Sequence, residues 1–433
     1  MFRSGHYVFP VGLICTLIDT IFPFYRQSVI ATTTMSQYYR DDSLVTNFIN
    51  QEVKSEIMAT YIRYIAEPAE LYGILPFDKS IMNRFIFRYQ IYCFIIKVLF
   101  SLRPSCYFTI QRAYLHKFIP CHFALKANVP VVMLGSSDQT LFKASLDNVP
   151  LHWDEIDFKS SSYYDQITPD LLTDMENQLN NRISNRIIDS SIWYMKVNPY
   201  KGQSYEPSDY DFNTGQFNIY TGTDLMNKYG GKRPFVCIYM HEFSDYHNNG
   251  TMASFATSYF DWLVSILSIV ISHNIDYVIK LHPAILNNPN NDKYASSLAA
   301  FKLLPEYFDA QINITLNPTT LDLINAGLSL GCTMKGTVAT ELAYLRIPVV
   351  CSGIPPYKSA LPQRVVNDLE SIASVLINYA NPEPITDLEH SDTLRYLVFK
   401  ELYKNSASSS FSSSELVKKY SINLSPLFSD TSS

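Results

Sequence analysis

The chain has 433 residues, of which 47% are hydrophobic and 17% charged. That is ample material for two domains and excludes global disorder. The formal net charge is −6, from 34 Lys+Arg against 40 Asp+Glu, which argues against a protein that grips a nucleic-acid backbone by bulk charge but leaves room for a basic pocket around one phosphate-bearing ligand.

Near the N-terminus, Tyr7 to Tyr25 is apolar and follows Arg3, but Pro10, Asp19 and Pro23 interrupt it. A spanning helix needs about 20 nearly uninterrupted apolar residues, so the stretch reads as a buried strand–turn–helix start, with a signal or anchor segment as the lesser alternative. The run Ile91 to Phe100 is too short to span and carries Lys97. Tyr107 to Gln111 and Val129 to Leu134 read as strands, the second followed by the loop Gly135-Ser136-Ser137-Asp138. Leu171 to Ile188 reads as a long helix. Val197 to Pro234, rich in Tyr, Gly, Asn, Asp and Pro, reads as loop and linker.

The second half alternates strand and helix at short spacing. Strands are expected at Pro234–Met240, Asp276–Leu281, Ile312–Leu316, Leu328–Leu330 and Ile347–Cys351. Helices are expected at Phe255–His273, Lys293–Leu304, Thr320–Ala326, Gly336–Leu345 and Asn367–Tyr379, with Thr319 or Thr320 capping the third. This pattern predicts βαβ units and a parallel, doubly wound sheet whose strands all end along one edge. Ligands bind beyond that edge. The Ser-rich stretch Ser406–Ser414 reads as a loosely ordered tail. Seven cysteines (Cys15, Cys93, Cys106, Cys121, Cys237, Cys332, Cys351) include no CxxC pair and lie mostly in apolar runs. They read as buried thiols of a reducing compartment. No zinc site and no cofactor is implied.

Three patches stand where predicted strands end. In Lys280-Leu281-His282-Pro283, Pro283 stiffens the turn and His282 can donate to a phosphate oxygen without a permanent charge. In Gly331 to Glu341, a small-residue loop opens a helix near Gly336-Thr337, where unpaired N–H groups favour an anion. Glu341, four residues past Thr337, shares its helix face and suits sugar hydroxyls such as a ribose diol. The loop is neither a Walker loop nor GxGxxG. His241 to Gly250 is dense in polar groups, including His241, Ser244 and Asp245, and reads as a ligand-contacting loop. The bland alternatives are a turn histidine, a capped helix with an exposed Glu, and a surface loop. Convergence on one sheet edge favours function.

The order His241…Phe243-Ser244-Asp245, then Tyr259-Phe260-Asp261-Trp262-Leu263, then Ile279-Lys280-Leu281-His282-Pro283, then Gly336-Thr337-Val338-Ala339-Thr340-Glu341-Leu342-Ala343 and Ile347-Pro348-Val349-Val350 resembles the C-terminal domain of bacterial capsule and surface polysaccharide glycosyltransferases with the GT-B fold. It is similar to Kdo transferases and, more distantly, to sialyl- and polysialyltransferases and teichoic acid glycerophosphotransferases. The likeness covers about residues 234–355. It implies an α/β protein of two Rossmann-like domains facing a cleft: 1–232 for the acceptor with a linker, 233–380 for the nucleotide sugar, and 381–433 as a C-terminal helix and tail. It implies a nucleotide-sugar donor, CMP-linked by preference, and a glycan or glycolipid acceptor. The location implied is cytoplasmic, with room for peripheral contact with the inner membrane. On this resemblance His282 contacts the donor phosphate, Gly336 and Thr337 cap it, Glu341 holds the ribose, and His241, Ser244, Asp245 and Lys280 complete the binding set. Two departures stand out: Leu281 occupies a position where the pattern often has Pro, and no acidic motif in the first half marks a general base. Asp138, just after a strand, is the candidate by position. Transfer of glycerol phosphate from CDP-glycerol, a non-catalytic binding protein of polysaccharide assembly or export, and an epimerase-like enzyme acting on a free nucleotide sugar are the rival readings.

Overall fold

The computed structural model describes residues 157–184, 215–243, 252–287 and 292–408 with a few gaps, and scattered positions between 95 and 144 and at 210 and 212. The apolar stretch Tyr7–Tyr25 and the Ser-rich tail past residue 408 lie outside the described residues.

A three-stranded sheet is formed by β1 (Tyr107–Thr109), β2 (Val131–Leu134) and β3 (Leu141–Ala144), with β1 parallel and β3 antiparallel to β2. The principal sheet has six strands: β4 (Phe217–Tyr220), β5 (Phe235–Tyr239), β6 (Tyr277–Lys280), β7 (Ile312–Thr315), β8 (Leu328–Thr333) and β9 (Val349–Cys351). Their order is β4-β7-β6-β5-β8-β9, and every pairing is parallel.

All five residues of β5 are buried, because a central parallel strand carries helices on both faces. The fully described α-helices are α1 (Pro169–Ser184), α2 (Gly222–Tyr229), α3 (Tyr259–Ser272), α4 (Pro283–Asn287), α5 (Asp292–Phe301), α6 (Leu304–Phe308), α7 (Thr320–Ala326), α8 (Val338–Tyr344), α9 (Leu369–Ile377) and α10 (Asp387–Ser408). One core joins Val236, Ile238, Ile279, Ile314 and Cys332 to Trp262, Leu263 and Ile266 of α3 and Ile372 of α9. The other joins Phe235, Cys237, Tyr239, Val278 and Val349 to Leu225 of α2, Leu323 of α7, Leu342 of α8 and Tyr396 of α10. The period-2 alternation of the strands thus divides them between two helical layers, which is a doubly wound, Rossmann-like α/β architecture.

The chain runs outward from β5 through β6 to β7, then returns past β5 to form β8 and β9. The order therefore reverses between β5 and β8, and the crevice beyond their carboxyl ends is where such sheets take ligands.

Residues 217–229, read from composition as linker, instead supply an edge strand and a helix. Only Phe217 of β4 is fully buried, so the strand lacks a continuous apolar run. Helix α2 starts on a reciprocal Thr221–Asp224 capping box and ends at Gly230 with φ 56°. Strand β8 runs three residues past its expected end. Gly331 lets it, since a Cβ there would lie 2.3 Å from Leu342 Cδ1. Helix α1 lays Met175 and Leu179 against Tyr344, Leu394 and Val398, and Phe158 packs on Tyr396 and Phe399. Phe158 and helix α1 therefore rest on α8 and α10. Among the described residues no helix is long and apolar enough to cross a membrane.

Candidate functional site

The two flanks of the switch point are hydrogen-bonded to each other. His241 follows β5 by two residues, and the turn Thr333-Met334-Lys335-Gly336 ends β8. The backbone N–H of Lys335 donates to His241 Nε2 at 3.2 Å, and Thr333 Oγ1 lies 3.3 Å from the same nitrogen. The Gly336 N–H donates to Thr333 Oγ1 at 3.2 Å, closing the turn on its own side chain. A side chain at 336 would not fit, as a Cβ would come within 2.7 Å of Thr333 Oγ1.

The imidazole of His241 is half-buried and stacked on Tyr259, with centroids 4.5 Å apart and planes at 15°, and Trp262 meets it edge-on at 6.3 Å. Tyr259 opens α3, whose first turn is fixed by the buried Ser258 accepting from the Asp261 N–H at 3.0 Å. Lys335 holds its ammonium 5.7 Å from the Tyr259 ring centroid, a cation–π distance. The turn is braced from below: Ser352 and Gly353 N–H groups donate to the carbonyls of Thr333 and Met334 at 3.2 and 2.8 Å. The Tyr357 hydroxyl donates to the Gly336 carbonyl at 2.6 Å.

His282 follows β6, one strand away, and is half-buried. Its Nδ1 accepts from the Ala284 N–H at 3.2 Å. A backbone N–H can only donate, so the neutral ring carries its proton on Nε2. Thr337 is exposed and stands at the N-cap of α8 in a helical conformation, with no side-chain hydrogen bond to the first turn.

Lys280, the last residue of β6, is engaged within the fold. It pairs in register with Tyr239, facing the layer of α7, α8 and α10, and donates its ammonium to the Pro318 carbonyl. Burial holds its pKa below the ordinary lysine value, against the upward pull of the Cys237 thiol and the Glu341 and Asp322 carboxylates. Glu341, half-buried in the first turn of α8, therefore acts on Lys280 and also on the buried Tyr239 phenol. Burial is the main reason that phenol titrates well above its usual range.

The structure brings His241 and Gly336 together and sets His282 on the neighbouring strand end. Lys280 and Glu341 are linked to each other electrostatically. Ser244, Asp245 and Asp138 lie outside the described residues. Thr333, Lys335, Tyr259 and Tyr357 were not singled out from sequence. Thr333 and Lys335 sat inside the small-residue loop, and their roles depend on which strand neighbours β8.

Glu242 is buried and accepts from the Ser297 hydroxyl at 2.5 Å, so it braces α5. Among the described residues no group of three or more His, Cys, Asp or Glu side chains is placed to hold a metal ion.

No known protein family matches this chain, nor does any curated protein. Several solved structures align with it over most of its length. A UDP co-structure of MnaA from S. aureus is 12% identical, covers 86% of this chain and 94% of its own, and has a TM-score of 0.28. The UDP-GlcNAc 2-epimerase of Methanocaldococcus jannaschii is 12% identical, covers 74% and 81%, and has a TM-score of 0.29. A trehalose-6-phosphate synthase is 10% identical, covers 81% and 84%, and has a TM-score of 0.29. Likeness of that degree assigns neither a family nor a chemistry to this chain.

Proposed function

We propose that the chain is a nucleotide-sugar glycosyltransferase of the GT-B kind, which moves a sugar to a hydroxyl of a growing bacterial surface polysaccharide. The observation that carries this reading is the hydrogen-bonded junction of His241 with the 333–336 turn at the strand-order reversal, with His282 on the adjacent strand end. A ligand lying across β6, β5 and β8 would meet the Nε2–H of His282 at one end and the first turn of α8 at the other. Both are donors, and a nucleotide phosphate is the acceptor that suits them. Glu341 then serves the ribose hydroxyls, and the motif order along residues 234–355 supports a sugar nucleotide over a free phosphate.

Transfer requires a leaving nucleotide whose developing negative charge is met by fixed donors. On this reading His282, Gly336 and Thr337 meet that charge. His241, Ser244, Asp245 and Lys280 complete the binding set, Asp138 takes the acceptor proton, and the CMP-linked donor remains the preferred one. The acceptor is a glycan or glycolipid, and the work is done in the cytoplasm, at or near the inner membrane.

Calorimetric titration with CMP, CDP and UDP tests the donor site, and the reading predicts saturable binding with CMP or CDP favoured. No binding of any of the three would overturn it. CMP is released in both sugar transfer and glycerol phosphate transfer, so the transferred group is to be identified by mass on an acceptor glycan.

A further inference from the structure

We propose that His241 is the positioning residue of the 333–336 turn, and that protonating its imidazole releases the turn. The second consequence, loss of nucleotide affinity in acid, rests on the donor-site reading above.

The argument starts from the direction of one hydrogen bond. The Lys335 N–H can only donate, and it is 3.2 Å from His241 Nε2. Nε2 must therefore present a lone pair, so the ring is neutral with its proton on Nδ1. This is the opposite tautomer from His282, whose Nδ1 is the acceptor. Thr333 Oγ1, 3.3 Å from Nε2, accepts from the Gly336 N–H, and its rotatable proton can turn toward the Nε2 lone pair while the ring is neutral. A proton added at Nε2 would set its N–H against the Lys335 N–H and leave only Thr333 Oγ1 to accept it. The ring cannot turn aside cheaply, since it is stacked between Tyr259 and the edge of Trp262.

Among the described residues, the charged and titratable groups on the surrounding elements are few. The turn contributes Lys335, whose ammonium sits over Tyr259. Helix α3 contributes the Tyr259 phenol and Asp261 in its first turn. The segment of His241 itself contributes Glu242, whose carboxylate is held by Ser297. An imidazolium would add a second cation near Lys335. The Gly336 N–H depends on Thr333 Oγ1, and Thr333 borders His241, so release passes to Gly336 and the start of α8.

The test uses the full-length protein labelled with ¹⁵N, over about pH 5 to 8, where histidines ordinarily titrate. Ring-nitrogen shifts are expected to show His241 at high pH with Nε2 unprotonated. The Lys335 and Gly336 amide resonances are expected to move with the His241 midpoint. His241→Gln keeps an acceptor and cannot titrate, so it should retain the high-pH amide positions throughout, while His241→Ala should not. An Nε2–H tautomer, or amides of 335 and 336 indifferent to pH, overturns the proposal. A second measurement follows CMP affinity at the two pH extremes. The wild type is expected to weaken by about tenfold or more, the scale of losing a hydrogen bond to a charged ligand. His241→Gln should retain only the residual dependence set by His282 and the phosphate. Equal pH dependence in both proteins overturns the link to binding. Coupled NMR titration in a protein that binds no nucleotide at any pH supports the positioning role and rejects the donor site.

Discussion

Arg364 and Glu389 meet in a two-pronged buried ion pair, with Nε donating to Oε1 at 2.7 Å and Nη2 to Oε2 at 2.8 Å. The guanidinium also donates to the carbonyls of Glu383 and Pro384 at 2.9 and 2.6 Å. Glu389 accepts from both the backbone and the hydroxyl of Thr386, and its own N–H returns a bond to that hydroxyl. The pair therefore fixes the start of α10, the helix that covers α8. Glu389→Ala leaves a buried cation without its partner and should cost about 3–5 kcal/mol in urea unfolding.

The same pair sets an acid limit. Burial pushes the Glu389 carboxyl up, but Arg364 and Thr386 outweigh it and hold the group below the usual glutamate value. A folded pKa below the unfolded one gives stability that is present above about pH 4.3 and is lost as pH falls through the folded value. The stability difference between wild type and Glu389→Ala should therefore shrink below about pH 4. A constant difference down to pH 2 would contradict this.

At Gly331 the limit is space. A methyl there would stand 2.3 Å from Leu342 Cδ1 and 3.6 Å from the Tyr239 ring. Gly331→Ala should destabilise by about 1–3 kcal/mol, the usual cost of overpacking. Adding Leu342→Val should recover part of it in the same unfolding measurement. A double variant no better than the single would show that the strain lies elsewhere.

The buried thiols offer a simple chemical check. Desolvation raises Cys237 and Cys351 to about 12 and carries Cys332 well above its ordinary value. Reactivity follows the thiolate, so a disulfide exchange reagent at pH 8 should leave all three unlabelled until denaturant is added. Labelling of any of them faster than global unfolding would mean that the sheet opens locally.

For the proposed donor site, His282→Ala should weaken CMP binding by about 1–3 kcal/mol, the range for a hydrogen bond to a charged group. Unchanged affinity in the folded variant removes His282 from the site. Glu341→Gln should weaken nucleoside recognition and leave inhibition by inorganic pyrophosphate mostly intact; equal loss of both argues against the ribose role.

How far the sequence could be read depends on where each residue sits. Strands buried on both faces declare themselves, as Phe235–Tyr239 and Tyr277–Lys280 do, since continuous apolar runs have few other uses. Edge strand β4 does not, because only one of its four residues is fully buried. The helix after it carried legible signals that composition masked: Thr221 three residues before Asp224, and Gly230 just past the end. The position of His241, His282 and Gly336 just past strand ends was legible in the sequence. The Thr333 and Lys335 contacts were not, because the neighbour of β8 is decided by the sheet order. For Lys280, alternation sets the face, but only the fold shows that the Pro318 carbonyl waits there.

One brace has a wider implication. The carbonyls of Thr333, Met334 and Gly336 are all tied to residues 352–357, a segment that contributes nothing to the expected ligand contacts. The two loops therefore behave as a single mechanical piece. Natural or engineered variants that reshape one are expected to carry compensating changes in the other, and a search for altered ligand preference should randomise both together.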